Sequence, residues 1–261
     1  MDYAEISKQG LEHVSKHLDH LSTRVEKLSK MVEDNEGDPY ACIQGLRGQA
    51  TAASLVSWFR DHSLSDFKKW CYVAGKLDYI LFKREPRRWY PAYLLLMPLL
   101  SDNERLIQWL TQSDQLADVA RAHQPAAPEF HGYQALVALR GDWKLLEERS
   151  LQAIGHSSAK MQKYEIDHHF YLALARHDVP GMEAVLQKLV SPKTAKARNV
   201  EPEFGFTEKL IGTHAVIYAK IAWRHGFEVK VDTPWIPQEW LPIAPLAHYT
   251  DPYNFMKQYE I

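Results

Sequence analysis

The chain has 261 residues, which is enough for one large domain or two small ones. Its formal charge of −2 and its pI near 6.7 lack the basic excess of a nucleic-acid-binding domain, so we expect no direct nucleic-acid ligand. Two isolated cysteines, Cys42 and Cys71, exclude a zinc ribbon or a thioredoxin-type CxxC motif and indicate free thiols in a reducing compartment.

The sequence shows neither a secretion signal nor a membrane span. Residues 1–30 are polar and follow a helical pattern, without the apolar core of a signal peptide. The longest apolar run, residues 91–100, is far shorter than a helix that crosses a bilayer. We therefore expect a cytoplasmic protein with no membrane contact.

Helical periodicity predicts one amphipathic helix over residues 3–33, with apolar residues at steps of three and four. His13, His17 and His20 fall on one flank of it, at i, i+4 and i+7. Two such imidazoles could hold a metal ion, but a catalytic zinc needs a third fixed ligand and no motif here supplies one. We favour a solvated flank without metal or cofactor.

An acidic break follows this helix. Four carboxylates, those of Glu33, Asp34, Glu36 and Asp38, fall within six residues and are followed by Pro39. A solvated loop is the plainer interpretation, because charge runs usually lie on solvent-exposed faces. The functional alternative is a contact with a basic partner, and we take these four residues as the candidate partner-binding site. A second acidic candidate consists of Asp102, Glu104, Asp114 and Asp118, provided that they face one side.

The middle of the chain reads as further helices with turns between them. We predict helices over 40–59, 66–82 with Ser65 as cap, 93–100, 105–110 with Ser101 as cap, and 113–123. The Pro-rich residues 124–129 are the strongest helix breaker in the sequence. We expect a single domain over 1–261, with a subdivision, if there is one, near 124–129.

One motif recurs in the second half. The pattern Arg-x-Asp-x-x-x-(Leu/Met)-Glu occupies residues 140–147 and 176–183, offset by 36 residues, and a weaker copy lies at 222–226. Stacked helix pairs repeat with a period of about 34 to 47 residues. The alternative is that any two helical hairpins look alike at this level.

Each copy predicts a helix end, a tight turn and a second helix. Gly141 and Gly226 can adopt positive φ just past a helix, and Asp142 and Asp178 are suitable N-caps for the next one. The predicted fold is therefore all-α, with stacked antiparallel helix pairs in the manner of a helical repeat.

The helix predicted over 160–176 contains His168 and His169 beside Asp167. A metal or acid–base role is one interpretation, and hydrogen bonding inside a helical bundle is the one we favour. After a last helix over 210–225, residues 227–232 alternate like a strand, but with no partner strand we expect an extended segment lying on the helices.

The C-terminal tail is irregular and rich in proline and aromatic residues. We expect it to wrap around the helices and close the core, since prolines reduce the entropy lost on ordering and aromatics anchor by burial. The alternative is an aromatic contact surface. The tail's residues of these two kinds are Pro234, Trp235, Pro237, Trp240, Pro242, Pro245, Tyr249, Pro252, Tyr253 and Phe255.

Motifs for catalysis or nucleotide binding are missing. The sequence has no Gly-rich phosphate loop, nucleophile elbow, HExxH or dinucleotide fingerprint.

Several stretches within residues 130–256 are similar to the sequences of one protein family. These are 171–178 leading into Met182-Glu183, the basic loop 191–199, 218–226, 229–234 with Ile236-Pro237 and Leu241-Pro242, and the closing run 249–255.

Together these stretches resemble the immunity protein 49 family, which is found beside bacterial polymorphic toxins. The resemblance implies a cytoplasmic, non-catalytic protein that binds a cognate toxin tightly and protects the cell that makes the toxin. A cytoplasmic location in turn implies a toxin that acts there, such as a nuclease. The resemblance assigns no functional residue.

Two other functions stay open on sequence grounds. A helical-repeat adaptor or secretion chaperone would bind peptides in a groove rather than a folded toxin. An enzyme with a histidine-based or metal site would need His168 or His169 for activity. The exposed aromatics also leave room for a homodimer.

Overall fold

The computed structural model describes residues 2–85, 92–113, 119–156, 162–194 and 205–261. The described residues form α-helices, short 3₁₀ turns and irregular segments, with no β-strand among them, so the all-α prediction is confirmed. The α-helices are α1 Tyr3–Ser22, α2 Val25–Glu33, α3 Pro39–Phe59, α4 Leu64–Arg84, α5 Leu96–Ser101, α6 Glu104–Gln112, α7 Val119–Ala122, α8 Pro128–Arg140, α9 Trp143–His156, α10 Glu165–Ala175, α11 Val179–Leu189 and α12 Thr213–Arg224.

The segment predicted as one helix over residues 3–33 forms two helices, because a turn at Thr23 and Arg24 interrupts it. The Thr23 hydroxyl donates to the carbonyl of His20 (2.8 Å), and the Arg24 amide donates to the carbonyl of Leu21 (3.0 Å). These local bonds close the end of α1 before α2 begins. Both helices pack on α3, so the break lets the chain follow that long helix.

The hairpin of α3 and α4 forms the most extensive helix–helix contact in the described structure. Asp38 caps α3 by accepting from the Ala41 amide (3.1 Å), and Pro39 occupies the first turn, where a missing N–H costs nothing. Ser63, rather than the predicted Ser65, caps α4 by accepting from the Asp66 amide (3.3 Å). The two helices are buried over most of their length.

The turn between α5 and α6 differs from the predicted Ser101 cap. Asp102 adopts a left-handed conformation with φ of 54°, and Asn103 caps α6 by accepting from the Leu106 amide (3.1 Å). Ser101 is still inside α5, where its hydroxyl donates to the carbonyl of Pro98 (2.7 Å) and accepts from the Asn103 amide (3.1 Å). The turn is therefore held by three consecutive polar residues.

The recurring motif forms the predicted turns. Gly141 and Gly226 have φ of 73° and 82°, and His177 takes the corresponding left-handed conformation with φ of 57°. Asp142 accepts from the Leu145 amide (3.2 Å) and Asp178 from the Gly181 amide (3.0 Å), as N-caps do. The helix–turn–helix prediction is confirmed for the copies at 140–147 and 176–183, whereas the copy at 222–226 ends a helix in a turn that leads into the irregular tail. Their arrangement as a helical repeat stays a prediction.

The three turns meet in space around Trp143. Its indole lies 5.4 Å from the ring of His177 and 4.6 Å from that of His225, both edge to face. Phe227 in turn lies 4.9 Å from His177. One end of the second half of the chain is thus held together by the aromatic residues of its own turns.

The tail closes the core, as expected. Residues 227–232 have no regular secondary structure, and the Val229 amide donates to the carbonyl of Phe227 (2.9 Å). Trp240 is fully buried and stacks on Phe67 of α4 at 4.2 Å, while Phe255 and Met256 are buried further on. One contiguous hydrophobic cluster of described residues extends from Val14 to Met256. The subdivision near 124–129 stays a prediction.

Candidate functional site

The acidic break forms a short turn between α2 and α3. Glu33, Asp34, Glu36 and Asp38 are all exposed. We call these four residues the acidic loop. Within the described part of the chain no lysine, arginine or histidine forms an ion pair with them. Their negative charges therefore face solvent, and none of them has an ion-pair partner among the described residues.

The backbone fixes the shape of the acidic loop. The Glu36 amide donates to the carbonyl of Met31 (2.9 Å), and Asn35 and Gly37 take left-handed conformations with φ of 54° and 64°. Asp38 is tied to the start of α3 as its N-cap, and Glu33 accepts from the Ser29 hydroxyl (3.4 Å). A turn held in this way loses little conformational entropy when a partner binds.

The second acidic candidate does not form a surface. Asp102 is completely buried, so the expectation that it faces a partner is wrong. Glu104 is exposed, but both of its oxygens accept from Arg224 of α12, at 2.8 and 2.9 Å. Asp114 and Asp118 lie outside the described residues.

Asp102 instead lies at the centre of a buried charge cluster. Its Oδ2 accepts from Lys68 Nζ (2.7 Å) and its Oδ1 lies 2.8 Å from Lys220 Nζ, with all three side chains almost inaccessible to water. The contact to Lys220 is electrostatic rather than a directed hydrogen bond, because the Lys220 ammonium donates to three other groups. We call Lys68, Asp102 and Lys220 the buried ion triad.

Those other groups are backbone carbonyls of the tail. Lys220 Nζ donates to the carbonyls of Trp240 (2.8 Å), Leu241 (3.1 Å) and Pro242 (3.0 Å). Lys68 Nζ donates to the carbonyl of Ala244, whose own amide donates to Asp102. The buried ion triad therefore provides hydrogen-bond partners for the carbonyls of an irregular segment that face the interior of the protein.

Burial dominates the electrostatics of this cluster. Desolvation lowers the pKa of the Lys220 ammonium to about 8, although the neighbouring Asp102 carboxylate favours the charged form. A perturbed lysine can mark a catalytic centre. Here it has no access to solvent and its hydrogens are directed at backbone carbonyls, so its role is structural.

A second set of polar contacts holds the end of the tail. Tyr72 and Lys76 of α4 donate to the two carboxylate oxygens of Asp251, at 2.9 and 2.7 Å. The Tyr249 hydroxyl donates to the carbonyl of Ser101 (2.6 Å). The sequence predicted burial of the tail's aromatics but not these polar anchors.

The histidines do not assemble a metal site among the described residues. His13, His17 and His20 are exposed, and the first two rings contact each other edge to face at 4.5 Å. His168 is buried, and its Nε2 lies 2.6 Å from Nδ1 of His131, a hydrogen bond of the kind that we favoured for it. His169 is exposed, 3.8 Å from Glu165.

A cavity of about 400 Å³ lies where α1, α3, α4 and the start of α5 approach residues 205–213. Its apolar lining includes Leu96, Met97 and Pro98. Its polar lining includes Arg47 and Asp78, which form an ion pair at 2.7 Å. Sequence reasoning missed this cavity, because its walls come from five separated segments.

Comparison with known protein families shows the family to which the chain belongs. The family model described as immunity protein 49 matches residues 61–240, more than two thirds of the chain. The chain belongs to the immunity protein 49 family. The suspected family is thus confirmed, and the match begins well before residue 130, where the sequence resemblance was expected to start. No curated protein and no solved structure matches the chain.

The region that matches the immunity protein 49 family includes the buried ion triad but not the acidic loop. The matched region contains the complete buried ion triad and ends at Trp240, the first residue whose carbonyl Lys220 contacts. It does not contain the acidic loop.

None of the helices in the described ranges is at once long and apolar enough to cross a bilayer.

Proposed function

We propose that this protein binds and neutralises a cognate bacterial toxin that acts in the cytoplasm, by tight non-covalent inhibition without catalysis. The observation that carries the proposal is membership of the immunity protein 49 family over residues 61–240. The cytoplasm is the proposed site of action because the free thiols of Cys42 and Cys71 are typical of a reducing compartment, and an inhibitor must meet its toxin where the toxin acts.

The acidic loop is the proposed contact, and a nuclease is the proposed toxin. A nuclease presents a basic cleft to nucleic acid, so an inhibitor gains from a compact group of unpaired carboxylates. Glu33, Asp34 and Glu36 are exposed and have no ion-pair partner within the described structure, on a turn that the backbone holds in place. Such complementary charge accelerates association by about tenfold to a thousandfold at low salt.

Co-expression tests the proposal. The toxin domain encoded beside this gene is expressed in a sensitive host, alone and together with this protein carrying an affinity tag. We expect growth to be restored and the toxin domain to co-purify in a stable complex. An unrelated immunity protein serves as the control and should neither restore growth nor retain the toxin.

The outcome also separates the proposal from its alternative. A helical-repeat adaptor or secretion chaperone would retain unfolded or extended segments and leave a folded toxin active. Absence of both rescue and complex would reject the immunity function and favour that alternative.

A further inference from the structure

One glycine of α3 is not explained by helix packing. A Cβ atom added at Gly48 would meet nothing closer than Phe206 (3.9 Å) and Leu21 (4.0 Å), which are ordinary contacts. A Cβ atom added at Gly45 would lie only 3.1 Å from the Leu28 side chain. A Cβ atom added at Gly75 would lie 3.2 Å from the Pro98 backbone. Close packing therefore accounts for Gly75, whose neighbour is backbone, and in part for Gly45, whose neighbour is the end of a leucine side chain, but it does not account for Gly48.

Gly48 nevertheless occupies the middle of a 21-residue helix, where glycine is less favourable than alanine. Its position gives the reason, since it lines the cavity between α1, α3 and α4. A side chain there would extend into that space. The cavity volume of about 400 Å³ falls in the range of roughly 300–1,000 Å³ that is usual for binding pockets.

The chemistry of the wall indicates the kind of group that fits. Several of its polar side chains are engaged with other groups of the wall: Arg47 pairs with Asp78, the hydroxyls of Thr207 and Thr213 lie 2.7 Å apart, and the Thr51 hydroxyl donates to the carbonyl of Arg47 (3.0 Å). The imidazoles of His13 and His17 also line the pocket; their rings contact each other, and that of His17 contacts Phe206. Pockets for small metabolites usually present converging polar groups that orient the ligand. This wall instead offers an apolar surface that includes Leu96 and is suited to an apolar side chain.

We propose that the pocket receives one large apolar side chain of the toxin, and that Gly48 keeps it open. This inference rests on the proposed function. Gly48 lies ten residues along α3 from Asp38, about 15 Å along a helix. A standard interface covers a patch roughly 30 Å across on each partner. The acidic loop and the pocket can therefore belong to one interface, with the loop steering the toxin and the pocket anchoring it.

A pair of substitutions at one position tests the proposal. Gly48→Leu places a bulky side chain in the pocket and reduces its open space, while Gly48→Ala adds a single methyl group that meets no close contact and serves as the matched control. Affinity for the purified toxin domain is measured by isothermal titration calorimetry, and folding by circular dichroism and thermal unfolding. We expect Gly48→Leu to weaken binding by about 30-fold or more, the effect of losing one hot-spot anchor. Gly48→Ala should stay within about threefold of the wild type, because it leaves the pocket open.

A labelling experiment tests whether the toxin occupies the pocket even if Gly48→Leu does not fold. Cys42 and Cys71 are both buried, so a maleimide should react selectively at the new thiol of Gly48→Cys. We expect labelling of the free protein and protection in the toxin complex. Equal labelling in both states would overturn the proposal.

The remaining outcomes are distinct. Wild-type affinity in a folded Gly48→Leu variant would overturn the pocket proposal and leave the immunity function standing. A co-purified small molecule that native mass spectrometry detects in the wild type and not in Gly48→Leu, with toxin binding unchanged, would also overturn it. Failure of the wild-type protein to bind the toxin would reject the proposed function, and this inference with it.

Discussion

Asp102 Oδ1 and Lys220 Nζ lie 2.8 Å apart with both side chains fully buried, joining the turn after α5 to the middle of α12. The same ammonium holds three successive carbonyls of the tail. One ion pair thus links two helical regions to an irregular segment. Lys68 of α4 donates to the other carboxylate oxygen of Asp102, so the link also includes α4.

Asp102→Asn should destabilise the protein strongly, by about 3–5 kcal/mol, because it leaves two buried lysines without a counter-charge. Asparagine tolerates the left-handed backbone of this position, so the change tests charge rather than conformation. Glu104→Gln is the matched control and should cost less than about 1 kcal/mol, as for an exposed ion pair. Urea denaturation measures both. Equal midpoints for the two variants would refute the role of the buried ion triad.

Acidification should weaken the fold through His225. Desolvation lowers the pKa of this imidazole, which lies against Trp143 and whose Nε2 donates to the carbonyl of Ala138 (2.8 Å). The unfolded chain then binds a proton more readily, so this contribution to stability is complete above the ordinary pKa of about 6.5 and is lost as pH falls below it. The wild type should lose more stability than His225→Gln between about pH 7 and pH 5, in chemical denaturation at each pH. Parallel pH profiles would contradict the prediction.

Gly48→Ala should raise the free energy of unfolding by about 0.5–1 kcal/mol, since alanine is the better helix former and the added methyl group meets ordinary contacts. Gly75→Ala makes the same chemical change, but its Cβ would lie 3.2 Å from the Pro98 backbone, so we expect no gain or a loss. Thermal unfolding of the two variants distinguishes them. Stabilisation by both would show that helix propensity alone governs these positions.

The tail should contribute to stability through Trp240 rather than through its exposed residues. Trp240→Ala removes a fully buried side chain stacked on Phe67 and should cost about 3–5 kcal/mol. Ile243→Ala, three residues further along the same tail, alters a side chain that is 41% exposed and should cost less than about 1 kcal/mol. Similar losses for the two variants would mean that the tail does not close the core as described.

Local rules predicted most of the helices and the turns of the recurring motif, because each depends on a few neighbouring residues, but they misplaced the caps at Ser65 and Ser101. The left-handed conformations of Gly141 and Gly226 and the caps at Asp142 and Asp178 follow from residue type and position. The break at Thr23 was missed because the apolar periodicity continues across it. Only packing of two shorter helices on α3 reveals it.

The buried ion triad and the pocket depend on distant contacts that sequence patterns do not encode. A signal for Lys220 was present, since it is the one charged residue in the apolar run of residues 215–223. Nothing local indicated its pairing with Asp102, which instead looked like part of an acidic surface. The cavity beside Gly48 likewise needs five segments to meet, although a mid-helix glycine without a packing reason was a hint.

The acidic loop keeps the charges that made it a candidate, and its contact with a toxin stays a prediction. Reversing charge in it requires care, because Asp38 also caps α3. Glu33→Lys, Asp34→Lys and Glu36→Lys together avoid the cap, and Asp38→Asn tests that position while keeping a capping side chain. Glu148→Lys, Glu228→Lys and Glu239→Lys form a control with the same change in net charge at exposed sites outside the pocket and the acidic loop.

The most direct test of the account is the association rate of the purified protein with the toxin domain encoded beside its gene, measured by stopped flow at low and at physiological salt. We predict a tight complex whose association slows by about tenfold or more at low salt in the triple acidic-loop variant and changes little in the control variant. Equal slowing in the two variants would contradict the assignment of the acidic loop. Absence of any complex with the wild-type protein would contradict the immunity function itself.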